Sequence, residues 1–227
     1  MKQNFTILFD LDGTLVDTAP DLMLAHNHVM KKFGYPTKST EDIRNLVGKG
    51  AGALIGRSIW GQAKKEFSKV LDAKIKDEMV KEFVNFYGKN IVNESTLVTG
   101  VKDFLIWCKE QNISMAVCTN KQEHLSNDLL KKIGIYDFFE YVAGSDTFDY
   151  CKPDPRHLTN VVEILNGDVK KTIMIGDSET DANAAKAAEI PVILLENGYT
   201  EKNTTEIYHN HLIKDFTGVE KIIKKYL

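Results

Sequence analysis

The chain has 227 residues, 43% of them hydrophobic, enough to bury a full core as one large domain or as a core domain with an insertion. A formal charge of −3 gives no basic field for a polyanion and argues against nucleic acid as the principal partner. Cys108, Cys118 and Cys151 are odd in number and contain no Cys-x-x-Cys pair, so a disulfide framework or zinc knuckle is not expected and the thiols read as reduced. No apolar signal segment and no run near twenty apolar residues is visible, so the expectation is a cytoplasmic protein without a membrane partner.

The first predicted element is a buried strand over Phe5–Phe9, a short apolar run of β-formers. Asp10 and Asp12 follow at its C-terminal mouth, and residues two apart in an extended segment project to the same side. Two carboxylates about 4 Å apart repel by roughly 4 kcal/mol at an effective dielectric near 20, so a divalent cation or a shared proton is implied. Gly13 permits a sharp turn, and the Thr14 hydroxyl with neighbouring amides suits an anionic ligand.

From Thr18 the period becomes helical, with Leu22, Ala25, Val29 and Phe33 on one face and Gly34 and Pro36 ending the run. Further helices are predicted over 43–47, 51–59, 63–71 and 75–87, with no strand before about residue 90. A βα rhythm then begins. Strands are predicted over 113–118, 141–143, 172–175 and 192–195, with helices around Val101–Cys108, over Leu125–Ile133 closed by Gly134, and over 155–166 and 180–188. This alternation predicts an α/β fold, a Rossmann-like parallel sheet with helices on both faces and ligands at the C-terminal strand ends. The all-helical stretch reads as an inserted helical module, residues 17–92, between the two pieces of an α/β core domain, 1–16 and 93–227.

Three more polar clusters fall at predicted strand ends or connecting loops. Thr119-Asn120-Lys121 offers a hydroxyl and a helix start to an anion, or an ordinary N-cap. Lys152 stands before Pro153 in a stiffened loop that aims its ammonium. Gly176-Asp177-Ser178-Glu179-Thr180-Asp181 repeats the opening logic, with Asp177 able to complete a metal site with Asp10 and Asp181 able to orient Lys152, cap a helix or order water. Oxygen donors of this kind suit a hard divalent cation, and Mg²⁺ fits a site that shares a substrate phosphate. The pairs His26/His28 and His209/His211 read as structural.

As an ordered set, these clusters resemble the four motifs of the haloacid dehalogenase-like superfamily of phosphohydrolases: Asp10 to Leu15, Thr119, Lys152, and Gly176 to Asp181. The helical insertion resembles the cap of the subgroup that contains phosphoglycolate phosphatase and phosphoglucomutase. Phe9 to Thr18 and Arg44-Asn45-Leu46-Val47-Gly48-Lys49-Gly50-Ala51 look like the phosphoglycolate phosphatase type. Arg156-His157, after Pro155, departs from many relatives and bears on loop packing.

The resemblance implies a Mg²⁺-dependent phosphatase for a small phosphorylated metabolite such as 2-phosphoglycolate, acting as a monomer or homodimer through an aspartyl-phosphate. Asp10 would be the nucleophile and Asp12 the acid and base, while Asp10, Asp177 and the Asp12 carbonyl hold the metal. Thr119 and Asn120 would bind phosphoryl oxygens and Lys152 would neutralise charge, with Gly13, Thr14, Gly176 and Asp181 in support. Arg44 and Lys49 are the cap candidates for recognising the leaving group. The competing readings are a sugar phosphomutase of the same fold and a non-catalytic phospholigand-binding protein.

Overall fold

The structure is a computed structural model that describes residues 4–60 and 73–227. Among these, a six-stranded sheet is ordered β5-β4-β1-β6-β7-β8, and every pairing in it is parallel. Its strands are β1 (Thr6–Phe9), β4 (Ser114–Cys118), β5 (Tyr141–Ala143), β6 (Thr172–Gly176), β7 (Val192–Leu195) and β8 (His211–Ile213). A two-stranded antiparallel ribbon, β2 (Val16–Asp17) with β3 (Thr96–Leu97), stands apart from the sheet.

Alternation along the strands explains why helices cover both faces. Ile7, Phe9, Met115, Val117, Ile173 and Ile175 face a core shared with α5 (Val101–Glu110) and α6 (Glu123–Ile133). Leu8, Ala116, Cys118 and Met174 face the opposite core, under α7 (Arg156–Ile164) and α8 (Glu179–Ala187). Phe9 shows how tight this packing is: its ring meets those of Phe139 at 5.8 Å and Phe104 at 6.2 Å. Truncating it to Ala would cost about 3–5 kcal/mol. Gly134 takes the left-handed conformation at φ 80° that closes α6. A short α9 (Glu220–Ile223) completes the chain's elements.

Helices α1 (Ala19–Phe33), α2 (Thr40–Arg44), α3 (Ala51–Trp60) and α4 (Ala73–Lys89) lie in the chain between β2 and β3. They pack on one another, α4 against both α1 and α3, and α2 against α1. Buried His26 is within hydrogen-bonding distance of the Ser58 hydroxyl, and His28 contacts Glu82, so this histidine pair joins helices. Both crossings into the helices are tied together. Val98 N–H donates to the Leu15 carbonyl, and Asp21 in the first turn of α1 accepts from the amides of Asn93, Glu94 and Ser95 and from the Ser95 hydroxyl.

Four expectations need correction or fall outside view. Strands β2 and β3 exist, although each spans only two residues, too short for a periodic signal. The polar stretch containing His211 is the edge strand β8, where His211 meets the Tyr226 hydroxyl. The helix predicted over 43–47 is displaced to Thr40–Arg44, where Ser39 and Asp42 form a capping box. The helix predicted over 63–71 lies outside the described residues.

Candidate active site

Strand β1 has β4 on one side and β6 on the other, so its C-terminal end opens where the direction of strand progression reverses. Open α/β sheets gather ligands at that place. Asp10, Thr119 and Asp177 directly follow β1, β4 and β6, while Lys152 comes from the loop between β5 and α7. All four side chains belong to buried residues.

The chain does not stay extended after Phe9. The Leu11 carbonyl accepts from the amides of Thr14, Leu15 and Val16, and Gly13 turns with φ 84°. A Cβ on Gly13 would lie 2.2 Å from an oxygen of Asp177, so glycine is required both by the turn and by the close approach of that carboxylate. Asp10 and Asp12 still line one cavity, but each has its own cation. Lys152 Nζ lies 2.8 Å from Asp10 Oδ1, and Lys121 Nζ donates to both Asp12 oxygens at 2.7 and 2.8 Å. The charge repulsion expected from the sequence is therefore met by two lysines among the described residues.

Asp10, Asp177 and Asp181 each present an oxygen within 4.8 Å of the others, all in buried residues. Asp181 is already engaged: Oδ1 accepts from Lys152 Nζ at 2.6 Å, and Oδ2 accepts from the Ser178 hydroxyl and amide and the Asp177 amide. It caps the start of α8 and orients Lys152 at once. In Asp177, Oδ2 takes the Tyr199 amide at 2.6 Å. Burial pushes the Asp10 carboxyl up to about 6 against the pull of Lys152, and pushes Asp177 well above the ordinary carboxylate range. Burial also opposes the charge of Lys152, but Asp10 and Asp181 outweigh it and raise its pKa above the usual lysine value. When ionised, three carboxylates face one ammonium here, an excess of negative charge that an oxygen-preferring divalent cation would offset.

The cavity in front of these groups has a volume of about 280 Å³. Its sheet side includes Asp10, Asp12, Thr119 and Lys121; its helical side includes Lys49 and Tyr87. Asn120 joins the two sides, its side-chain amide donating to the carbonyls of Gly48 and Lys152. The Thr119 hydroxyl accepts from the Lys121 amide at 3.2 Å. The Thr14 hydroxyl is buried without a hydrogen-bond partner among the described residues.

Arg44 is not brought to this cavity. Its guanidinium donates to Asp17 at 2.7 Å, lies over the Tyr199 ring, and borders a separate surface recess. Burial works against the Asp17 charge, but hydrogen bonds from Arg44 and Tyr199 hold its carboxyl below the usual range. The reason is sequence-distant pairing: Asp17 and Tyr199 lie 27 and 155 positions from Arg44 and capture it first. Arg156 and His157 affect loop packing, as Arg156 forks onto Asp154 and covers the Tyr150 ring while His157 is buried edge-on to Phe148. Lys121 was present within the Thr119-Asn120-Lys121 run, yet its pairing with Asp12 needs the fold to be seen. Tyr87, at the C-terminal side of α4, gave no signal beyond the helical pattern.

Residues 7–195 match the family model described as haloacid dehalogenase-like hydrolase. A phosphoglycolate phosphatase of Mesorhizobium japonicum is 37% identical over 94% of this chain and 92% of its own length. One from Caulobacter vibrioides is 39% identical over 95% of this chain and 89% of its own. Among solved structures, a Haemophilus somnus protein described as a predicted phosphoglycolate phosphatase superposes with a TM-score of 0.88 at 30% identity, covering 98% of this chain and 99% of the other. A β-phosphoglucomutase of Clostridium difficile reaches a TM-score of 0.78 at 23% identity, covering 98% and 97%, a likeness of fold alone. Among the described residues, no helix is long and apolar enough to cross a membrane.

Proposed function

Because the chain belongs to the haloacid dehalogenase-like hydrolases and is a phosphoric monoester hydrolase, we propose that its reaction is Mg²⁺-dependent hydrolysis of a small phosphomonoester with an acidic leaving group, 2-phosphoglycolate or a close analogue. The observation that carries this reading is the Asp10–Lys152–Asp177 cluster at the end of β1, beside a cavity of about 280 Å³ lined by Asp10, Asp12 and Thr119. Asp10 attacks phosphorus and the bond to the leaving oxygen breaks, while Asp12, which must first take up a proton from solvent and release Lys121, gives that oxygen its proton. Asp12 then takes a proton from water, which attacks the aspartyl-phosphate, frees phosphate and restores Asp10. Lys152, steadied by Asp181, offsets charge on Asp10 and on the phosphoryl group. With its side-chain amide engaged, Asn120 would contribute its main-chain amide beside the Thr119 hydroxyl.

Asp10, Asp177 and the Asp12 carbonyl are the groups that would hold Mg²⁺, since both Asp181 oxygens are engaged elsewhere. When bound, the ion neutralises phosphoryl charge and fixes its orientation. Residues 17–92 serve as the cap of the 1–16 and 93–227 core, and Lys49 meets the substrate from the cap side. Phosphate release from 2-phosphoglycolate, with Mg²⁺ and with excess chelator, tests the proposal. Release only with the metal is expected; no release from a broad panel of phosphomonoesters would overturn it.

A further inference from the structure

Lys121 is a buried cation that the proposed chemistry leaves unassigned. Its side chain is 5% exposed, its ammonium grips both oxygens of Asp12, and it lies 4.6 Å from the centre of the Tyr87 ring. Asp12 also accepts from the Thr18 hydroxyl at 2.7 Å. Because the ammonium holds both carboxylate oxygens, Asp12 must loosen this ion pair to act on a leaving oxygen. A buried ammonium stripped of its carboxylate is costly, so something in the closed site must replace that charge. The Tyr87 ring face offers a partial substitute. Tyr87 also lines the cavity, and its hydroxyl is buried without a hydrogen-bond partner among the described residues.

Building on the phosphatase reading, we infer that Lys121 determines specificity by receiving the carboxylate of the leaving group as Asp12 turns to the bridging oxygen. The exchange makes an acid-bearing substrate complete the site: its own negative charge replaces Asp12 beside the ammonium. A neutral leaving group of equal size leaves Lys121 either unpaired or still holding Asp12 away from the reaction. Lys49 is the other lysine on this cavity, but it lies on the loop before α3 and makes no such contact with Asp12.

The test compares 2-phosphoglycolate with 2-hydroxyethyl phosphate, an ester of similar size without the acid, in the wild type, Lys121→Met and Lys121→Arg. Circular dichroism confirms that each variant is folded. The wild type should favour the acidic ester in kcat/KM. Lys121→Met should shrink that preference at least about tenfold, the scale of one charged hydrogen bond, and Lys121→Arg should retain much of it. An equal loss for both esters in Lys121→Met would make Lys121 a positioner of Asp12 and overturn the inference. A wild type that hydrolyses both esters without preference overturns it as well, whatever the fate of the variants, and leaves the phosphatase reading standing. Hydrolysis of neither ester, nor of any other phosphomonoester, removes both.

Discussion

Asp181 holds Lys152 from below the site: one carboxylate oxygen accepts from the ammonium at 2.6 Å, and the other accepts from the Ser178 hydroxyl at 2.7 Å. The start of α8 and the lysine between β5 and α7 thus share one anchor. Asp181→Asn keeps the shape but weakens the charge that positions Lys152. Its kcat for phosphate release should fall about 10–100-fold, the usual effect of losing a group that supports a reacting one. Lys152→Met, which removes the cation itself, should cost about 10²–10³-fold. Steady-state kinetics on folded variants reads both, and Asp181→Asn at wild-type kcat contradicts this role.

Metal binding should depend on pH through Asp10. Burial places its metal-free pKa at about 6, so below that value the carboxyl carries a proton that Mg²⁺ must displace. Affinity rises as the carboxyl loses its proton and weakens as pH falls. Asp10 alone should weaken binding about fourfold at pH 5.5 relative to its fully ionised form. Isothermal titration with Mg²⁺ at pH 7.5 and 5.5 measures this, and buffers of different ionisation heat report the released proton. Constant affinity without proton release contradicts the assignment.

Much of this site is legible before the fold because Asp10, Thr119 and Asp177 each follow an apolar run, while Lys152 is marked only by the proline after it. Asp10 and Asp177 sit after strands whose residues are all buried, and both were placed from that pattern. The rest depended on partners far away in the chain. Lys121 meets Asp12 across 109 positions, and Arg44 is drawn to Asp17 and the Tyr199 ring instead of the cavity. Strand β8 escaped because three residues among polar neighbours carry too little periodicity.

Asp21 clasps the two strands of chain that lead into and out of the helices. It accepts three backbone amides and one hydroxyl from residues 93–95. Asp21→Ala leaves buried donors unmatched and should lower stability by roughly 3 kcal/mol. Urea denaturation followed by circular dichroism checks it; a loss below about 1 kcal/mol would show that water or a rearranged linker satisfies those amides.

His157 should make the fold sensitive to acid. Burial, with Lys152 adding to it, pushes the imidazole down to about 4, whereas in the unfolded chain it titrates near 6.5. Between these values the unfolded state binds a proton that the folded state refuses, so stability falls as pH drops from about 6.5 towards 4. The maximum contribution is about 3 kcal/mol. His157→Leu should flatten the pH dependence of the urea midpoint across this window; an unchanged slope contradicts it.

The central claim is that Asp10 carries the phosphoryl group. The direct measurement is acid quenching of the enzyme during turnover of 2-phosphoglycolate with Mg²⁺, followed by mass spectrometry of the peptide containing Asp10. The account predicts a phosphorylated Asp10 in the wild type, with neither the modification nor phosphate release in folded Asp10→Asn. Undiminished phosphate release by Asp10→Asn would contradict it.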